Sequence, residues 1–312
     1  MIGAGAPLRL AWDRGEAKVT PLSAAIHHLV LRIADGRSVM PLAEAPWHDD
    51  EATVGDVSIA AHLRHLGGEW PCVPFGRTTV DPVTHGFGTD HHWTIVDQQP
   101  GAVTLAIDYP DAHPVARLTR TIAGVAGVAR VAFTLTVETR TACLLPIGLH
   151  PIARLPDGDM ALECKASHGE TFPVVFEAGI SRLAAGRRFA DTSSLPLAGG
   201  GSISLGELAR LRTEEALQLF GVDGHATLRC PAAGYRLILD WDASHFPTLL
   251  LWLSAGGRTA KPWSGRFRGL GIEPLDATFE ARDGSGAIIG GRQFAAGERW
   301  TTCYSIGADA EC

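Results

Sequence analysis

The sequence predicts an all-β protein, a large antiparallel β-sandwich with few short helices. Three observations lead there. Residues 130–138 alternate strictly, with Val131, Phe133, Leu135 and Val137 on one face and Ala132, Thr134, Thr136 and Glu138 on the other, which is the period-two pattern of a half-buried strand. Glycine-rich turns such as 197–201 and 283–286 separate short apolar runs, punctuation that suits a sandwich rather than βαβ units. Helical periodicity is scarce.

Taken in order, strands are expected at 25–33, 103–109, 115–122, 130–138, 235–241, 248–253, 286–290 and 300–306. The small stretch from Gly124 to Gly127 joins 115–122 to 130–138 as a hairpin. Two helices are expected. One covers 205–220, where Leu208, Leu211, Leu217 and Phe220 recur among charged residues; the other covers 58–66, with Asp56 as a candidate cap. No repeat, low-complexity tract or linker interrupts the 312 residues, so a single domain spanning 1–312 is expected.

Composition narrows the function classes. Hydrophobic residues make up 46% of the chain, enough for a core that needs no staple. Net charge is −7 and no Lys/Arg-rich run tracks a phosphate backbone, which argues against nucleic acid as a partner. No stretch approaches the ~20 apolar residues of a membrane span, and residues 1–14 lack the pattern of a secretory signal. The six cysteines are irregularly spaced without a C-x-x-C, as expected of reduced thiols in a cytoplasmic protein.

Nucleotide-binding glycine motifs and the G-x-S-x-G elbow are absent from the sequence. His27–His28 and His91–His92 are adjacent pairs, and neighbours on a strand point to opposite faces, so neither pair closes readily on one ion. His62 and His65 read as a solvated helix face. No required metal is expected. Asp240 and Asp242 share a strand face, a spacing compatible with a glycosidase pair but more simply the wet face of a sheet.

Three distant segments each set an ionisable residue among glycines or before proline: Thr84-His85-Gly86-Phe87-Gly88, Gly148-Leu149-His150-Pro151 and Gly269-Leu270-Gly271-Ile272-Glu273-Pro274. Glycine admits close approach, and proline fixes the chain beside the functional group. In this order the motifs resemble the aldose 1-epimerase (galactose mutarotase) family. Residues 19–26 are similar to that family's first core strand, 246–252 to its late strand ahead of the Glu motif, and 294–306 to its closing strand. The run Gly67-Gly68-Glu69-Trp70-Pro71, with His85-Gly86-Phe87-Gly88 and Trp93, resembles the hexose-6-phosphate epimerase branch. That branch places an arginine directly before the glycine pair; here Leu66 stands there, with Arg64 two residues earlier.

The resemblance implies a galactose mutarotase-like supersandwich and interconversion of the α and β anomers of a free hexose or hexose phosphate, without a cofactor. It implies Glu273 as base, His150 as acid and His85 as hydrogen-bonding partner near the ring oxygen. Arg77, Arg64, Trp93, Trp252 and Asp240 are the candidates for holding the sugar. Mutarotation needs a proton removed from the anomeric hydroxyl and another delivered to the ring oxygen, so a carboxylate and an imidazole suffice, provided that they converge in one cleft. Two other readings use the same residues: a non-catalytic carbohydrate-binding protein on this fold, or a glycosidase or lyase acting through Asp240, Asp242 or Glu273. The sequence leaves monomer and homodimer open.

Overall fold

Strand alternation builds the first layer. The computed structural model describes residues 6–279 and 286–311. The hairpin forms as expected, Val115–Gly124 against Arg130–Thr139 with Ile122 opposite Phe133. It sits within an eight-stranded antiparallel sheet ordered Ala161–Glu163, His225–Cys230, Tyr235–Trp241, Arg299–Ala310, Arg130–Thr139, Val115–Gly124, Ala102–Asp108 and Thr94–Gln99.

A second eight-stranded sheet runs Arg188–Phe189, His168–Thr171, Thr213–Phe220, Thr248–Ala255, Arg268–Leu275, Gly148–Leu149 and Pro71–Cys72, with Ile152–Arg154 also paired to Arg268–Leu275. Its inner face contributes Leu217, Leu249, Leu251, Leu253, Leu270 and Ile272 to the core shared with Val131, Phe133, Leu237 and Ile306 of the first sheet. Its outer face is covered too, because Ala216, Leu250 and Trp252 pack with Trp47, Trp70, Phe75, Trp263 and Phe267. Burial on both faces is why Leu249 to Leu253, within the strand Thr248–Ala255, is an unbroken apolar run rather than an alternating one. A smaller four-stranded sheet, Leu8–Trp12, Gly15–Val19, Ile26–Arg32 and Ser38–Val39, flanks this sandwich in sequence order.

A fully buried polar group ties the layers together. Arg120 donates to Glu69, to the Tyr304 hydroxyl at 2.9 Å and to the Ala24 carbonyl at 2.5 Å, while Tyr304 donates to Glu69 at 2.7 Å. Glu69 follows Gly67 and Gly68; Gly68 has φ +69°, and a Cβ there would strike the Ile26 carbonyl, so only glycine permits this approach.

Several expected elements differ. The helix at 205–220 stops at Arg210: a Ser204–Glu207 capping box starts Leu205–Arg210, and Thr213–Phe220 is a strand. Its charged residues imitate a solvated helix face, yet Glu214, Glu215 and Gln218 are buried and partnered, Glu214 by Trp252 and Ser254, Gln218 by Thr248. The helix at 58–66 shrinks to Ala61–Arg64, and Asp56 instead accepts from the Ser58 N–H and hydroxyl in a local turn. Residues 286–290 form no strand, only a bridge from Ile288 to Thr78; of the turn at 283–286, only Gly286 lies within the described residues. Residues 19–26 are a connection between strands ending at Val19 and starting at Ile26, and 294–306 divides into Arg292–Phe294 and Arg299–Ala310. Among the described residues no helix is long and apolar enough to cross a membrane, and none of the described cysteines is in a disulfide.

Candidate active site

Pleating of Arg268–Leu275 decides where the carboxylate goes. Leu270 and Ile272 face the core, so Gly271, Glu273 and Leu275 face outward, with Glu273 opposite Leu250 and Gly271 opposite Trp252. On the other side of the cleft floor, His150 follows the strand Gly148–Leu149 and its N–H donates to the Trp70 carbonyl at 2.9 Å. Its ring stacks on Trp70 at a centroid distance of 4.1 Å, which brings Nε2 to 3.6 Å from Glu273 Oε1. His85, at φ +67°, sets its ring edge-on to His150 at 5.1 Å. The Gly76 N–H donates to His85 Nδ1 at 3.3 Å, which leaves the His85 proton on Nε2. All three residues line one cleft of about 590 Å³, walled by Trp70, Phe75, Phe172, Phe176, Trp252 and Trp263. That volume and that mix of apolar walls with a few polar groups suit a small-molecule ligand.

Burial sets the protonation of the pair. Glu273 is 1% exposed, and loss of hydration pushes its carboxyl well above the ordinary range. Burial pushes His150 down to about 3, with His62 nearby adding to the effect. His85 is driven down by burial first and by His150 and His62 second. Burial therefore favours the proton of the Glu273–His150 pair on Glu273, and the imidazole is neutral near pH 7. A neutral acid beside a neutral base has the same proton count as the carboxylate–imidazolium form.

Gly271 makes room for this arrangement. A Cβ at that position would meet Glu273 Oε1. Since the obstructed atom is the end of a flexible side chain, Gly271→Ala is expected to fold normally and to swing the carboxylate away from His150. A crystal structure of the variant should then show the Glu273–His150 contact lengthened, with an unchanged denaturation midpoint.

The remaining candidates separate. Arg77 and Trp252 line the cleft, Arg77 exposed at its rim and Trp252 donating from Nε1 to Glu214 at 2.8 Å. Trp93 does not: it is a core residue whose Nε1 donates to the Gly88 carbonyl at 2.9 Å. Arg64 lines an adjoining cleft with His27 and Ser23 and donates to the Val54 carbonyl at 2.7 Å. Asp240 belongs to the first sheet, where Arg130 and His225 hold it at 2.6 and 2.7 Å, and it is not among the residues that line the cleft. Asp242 bonds locally to Ser244.

Two cleft features escape sequence reasoning. His62 is no solvated helix face: it is buried, with Nδ1 2.8 Å from Asp90 Oδ1, and both line the cleft. Burial works to raise the Asp90 carboxyl, but the His62 hydrogen bond and charge outweigh it and leave Asp90 below the usual carboxylate range. Asp90 is thus an ionised carboxylate at the cleft wall. Arg258 lies over the faces of Trp263 and Trp252 at 4.9 and 5.7 Å, 3.4 Å from Glu177 and 3.5 Å from Glu214. Neither residue stands in a motif, since their partners come from elsewhere in the chain. Another cleft, of about 430 Å³ between residues 8–11 and 98–103, has Arg9 as its ionisable residue and holds no acid–base pair.

This architecture is the galactose mutarotase-like fold. A galactose mutarotase-like protein from Lactobacillus casei is 18% identical with a TM-score of 0.63, covering 97% of this chain and all of its own. An aldose epimerase homologue from C. elegans is 13% identical with a TM-score of 0.66, covering 99% of this chain and 100% of that one. A galactose mutarotase-like protein from Clostridium acetobutylicum is 14% identical with a TM-score of 0.64, covering 98% and 95%. No protein-family model and no curated protein sequence matches the chain.

Proposed function

We propose that the protein is an aldose 1-epimerase, opening and reclosing the ring of a free hexose or hexose phosphate. The observation that carries this reading is the Glu273–His150 pair, 3.6 Å apart in an aromatic-walled cleft. The anomeric hydroxyl and the ring oxygen of a pyranose are bonded to the same carbon. Two groups this close can address both oxygens at once.

With sugar bound, hydroxyl donors replace the apolar surroundings of Glu273 and favour its carboxylate, while the proton moves to His150. Glu273 then removes the proton from the anomeric hydroxyl as His150 protonates the ring oxygen, and the C–O bond to the ring oxygen breaks to give the aldehyde. His85 Nε2–H donates to the oxygen released. Rotation about the bond to the aldehyde carbon presents its other face, and the two proton transfers run backwards to close the opposite anomer. Each group regains its starting state, so the chemistry needs no redox cofactor or nucleotide. Trp252 and Trp263 offer apolar faces to the sugar, Asp90 accepts from its hydroxyls, and Arg258 and Arg77 supply cationic donors. A pure sugar-binding role leaves the acid–base pair without a purpose.

Polarimetry on freshly dissolved α-D-glucose, α-D-galactose and hexose 6-phosphates tests the proposal. Wild type is expected to accelerate the approach to anomeric equilibrium above the spontaneous rate, and His150→Ala to lose about two to four orders of magnitude. A wild-type rate equal to the blank on every aldose overturns it. The pH profile carries a further expectation. An ordinary Glu–His pair sheds its shared proton as pH rises through about 6.5. Here burial pushes His150 down to about 3 and Glu273 well above its usual range, so the alkaline fall of kcat/KM should follow the raised Glu273 carboxyl rather than an ordinary imidazole.

A further inference from the structure

We propose that His28, Glu44 and His48 form a site for a zinc-class divalent metal ion, separate from the catalytic cleft. Each can bring one ligand atom within 4.8 Å of the other two. Donors on one zinc ion, at bond lengths of about 2.0–2.1 Å, lie about 3.3 Å apart, so modest side-chain rotations close the shell.

The backbone is built to aim His28. Pairing between Gly15–Val19 and Ile26–Arg32 shifts register, Lys18 facing His27 while Glu16 faces Val30, so the strand bulges at His28 and Leu29. His28 takes φ +48° there, a conformation that a residue with a Cβ adopts at a cost, and one that turns its side chain towards Glu44. Glu44 Oε1 accepts from the His28 N–H, and Glu44 Oε2 lies 3.1 Å from His28 Nε2.

His48 completes the set. Its Nδ1 lies 3.1 Å from the Ala45 carbonyl and can donate to it, so Nε2 can serve as the metal ligand once it turns from the Asp49 carboxylate. Fixing one imidazole nitrogen on a carbonyl so that the other meets the metal is the usual outer-shell support of a metal-binding histidine. The two imidazole rings are 5.5 Å apart. Asp49 Oδ1 sits 3.1 Å from His48 Nε2 and adds negative charge beside the site. His28 and His48 are about one-third exposed, so an ion can enter from solvent and keep water in its remaining positions. Two imidazoles and one carboxylate suit zinc, cobalt or nickel better than magnesium or calcium, which favour all-oxygen shells.

The ion would clamp residues 44–48 onto the bulged strand. Trp47, between two of the ligands in sequence, is fully buried against Trp263 of the cleft wall, with ring centroids 5.5 Å apart. The clamp would therefore steady that wall from behind.

Protein stripped with a chelator, dialysed and titrated with ZnCl2 by calorimetry is expected to bind one ion per chain with micromolar or tighter affinity. His48→Ala, at a partly exposed position, and His28→Gln should each weaken binding by about tenfold or more. Zinc should raise the Tm of wild type but not of either variant. Magnesium should give no saturable heat. Absence of saturable zinc binding, or wild-type affinity in either variant, overturns the proposal.

Discussion

Glu273→Gln is expected to abolish anomer exchange while making the protein more stable. The activity loss follows from the chemistry: an amide neither accepts the anomeric proton nor returns it, and general acid–base groups contribute about two to four orders of magnitude. The stability gain follows from linkage. Burial raises the folded-state value of Glu273 well above 4.5, so between that ordinary value and the raised one the folded protein binds more protons than the unfolded chain. Stability contributed by this group is complete below the ordinary value and falls as pH rises through the window. Gln is neutral in both states and has no such dependence. At neutral pH the variant should be more stable than wild type, by a margin that grows with pH inside that window. The gain should vanish as pH falls towards 4.5. His150, whose value is pushed down to about 3, subtracts stability as pH falls below its ordinary range, but equally in both proteins, so it cancels from the difference. Urea denaturation at two pH values checks this. A variant that is less stable at neutral pH, or a gain independent of pH, would show that burial does not govern Glu273.

Arg120→Met should be among the most damaging single substitutions in the protein. It leaves Glu69 fully buried with Tyr304 and without its cation. Removing one partner of such a pair costs about 3–5 kcal/mol, a large share of a typical ~5–15 kcal/mol. The effect should reach the cleft as well, because Glu69 precedes Trp70, the ring on which His150 stacks. Arg120→Met combined with Glu69→Gln should be less destabilising than Arg120→Met alone, since the double change removes the stranded charge. If the single variant unfolds at the wild-type denaturant midpoint, Arg120 does not neutralise Glu69.

Sequence reasoning reached the central hairpin, where one face of each strand is less buried, but named none of Leu8–Trp12, Gly15–Val19 and His225–Cys230. The alternation of 130–138 and the small residues after Gly124 were sufficient for the central hairpin. It failed at Thr213–Phe220, where both faces are buried and charged residues find partners inside, so that hydrophobic period no longer reports the element. In the cleft, Glu273, His150 and His85 were singled out because their three motifs, taken in order, resemble those of the aldose 1-epimerase family. His62, Asp90 and Arg258 were not, because their roles arise from contacts across 28 and more residues. Asp240 misled for the opposite reason: its strand face is real, but it belongs to the sheet that does not floor the cleft.

The alternation of Arg268–Leu275 also limits how this chain can vary. Odd-numbered positions from Gly271 to Leu275 look outward, and Leu270 and Ile272 look into hydrocarbon. Inserting or deleting a single residue before Glu273 within the strand would exchange the two faces, sending a carboxylate into the core and an isoleucine into the cleft. Homologous chains should therefore change length freely in the connecting loops and hold this eight-residue segment to a fixed count, a reading-frame rule written in protein rather than in nucleotides.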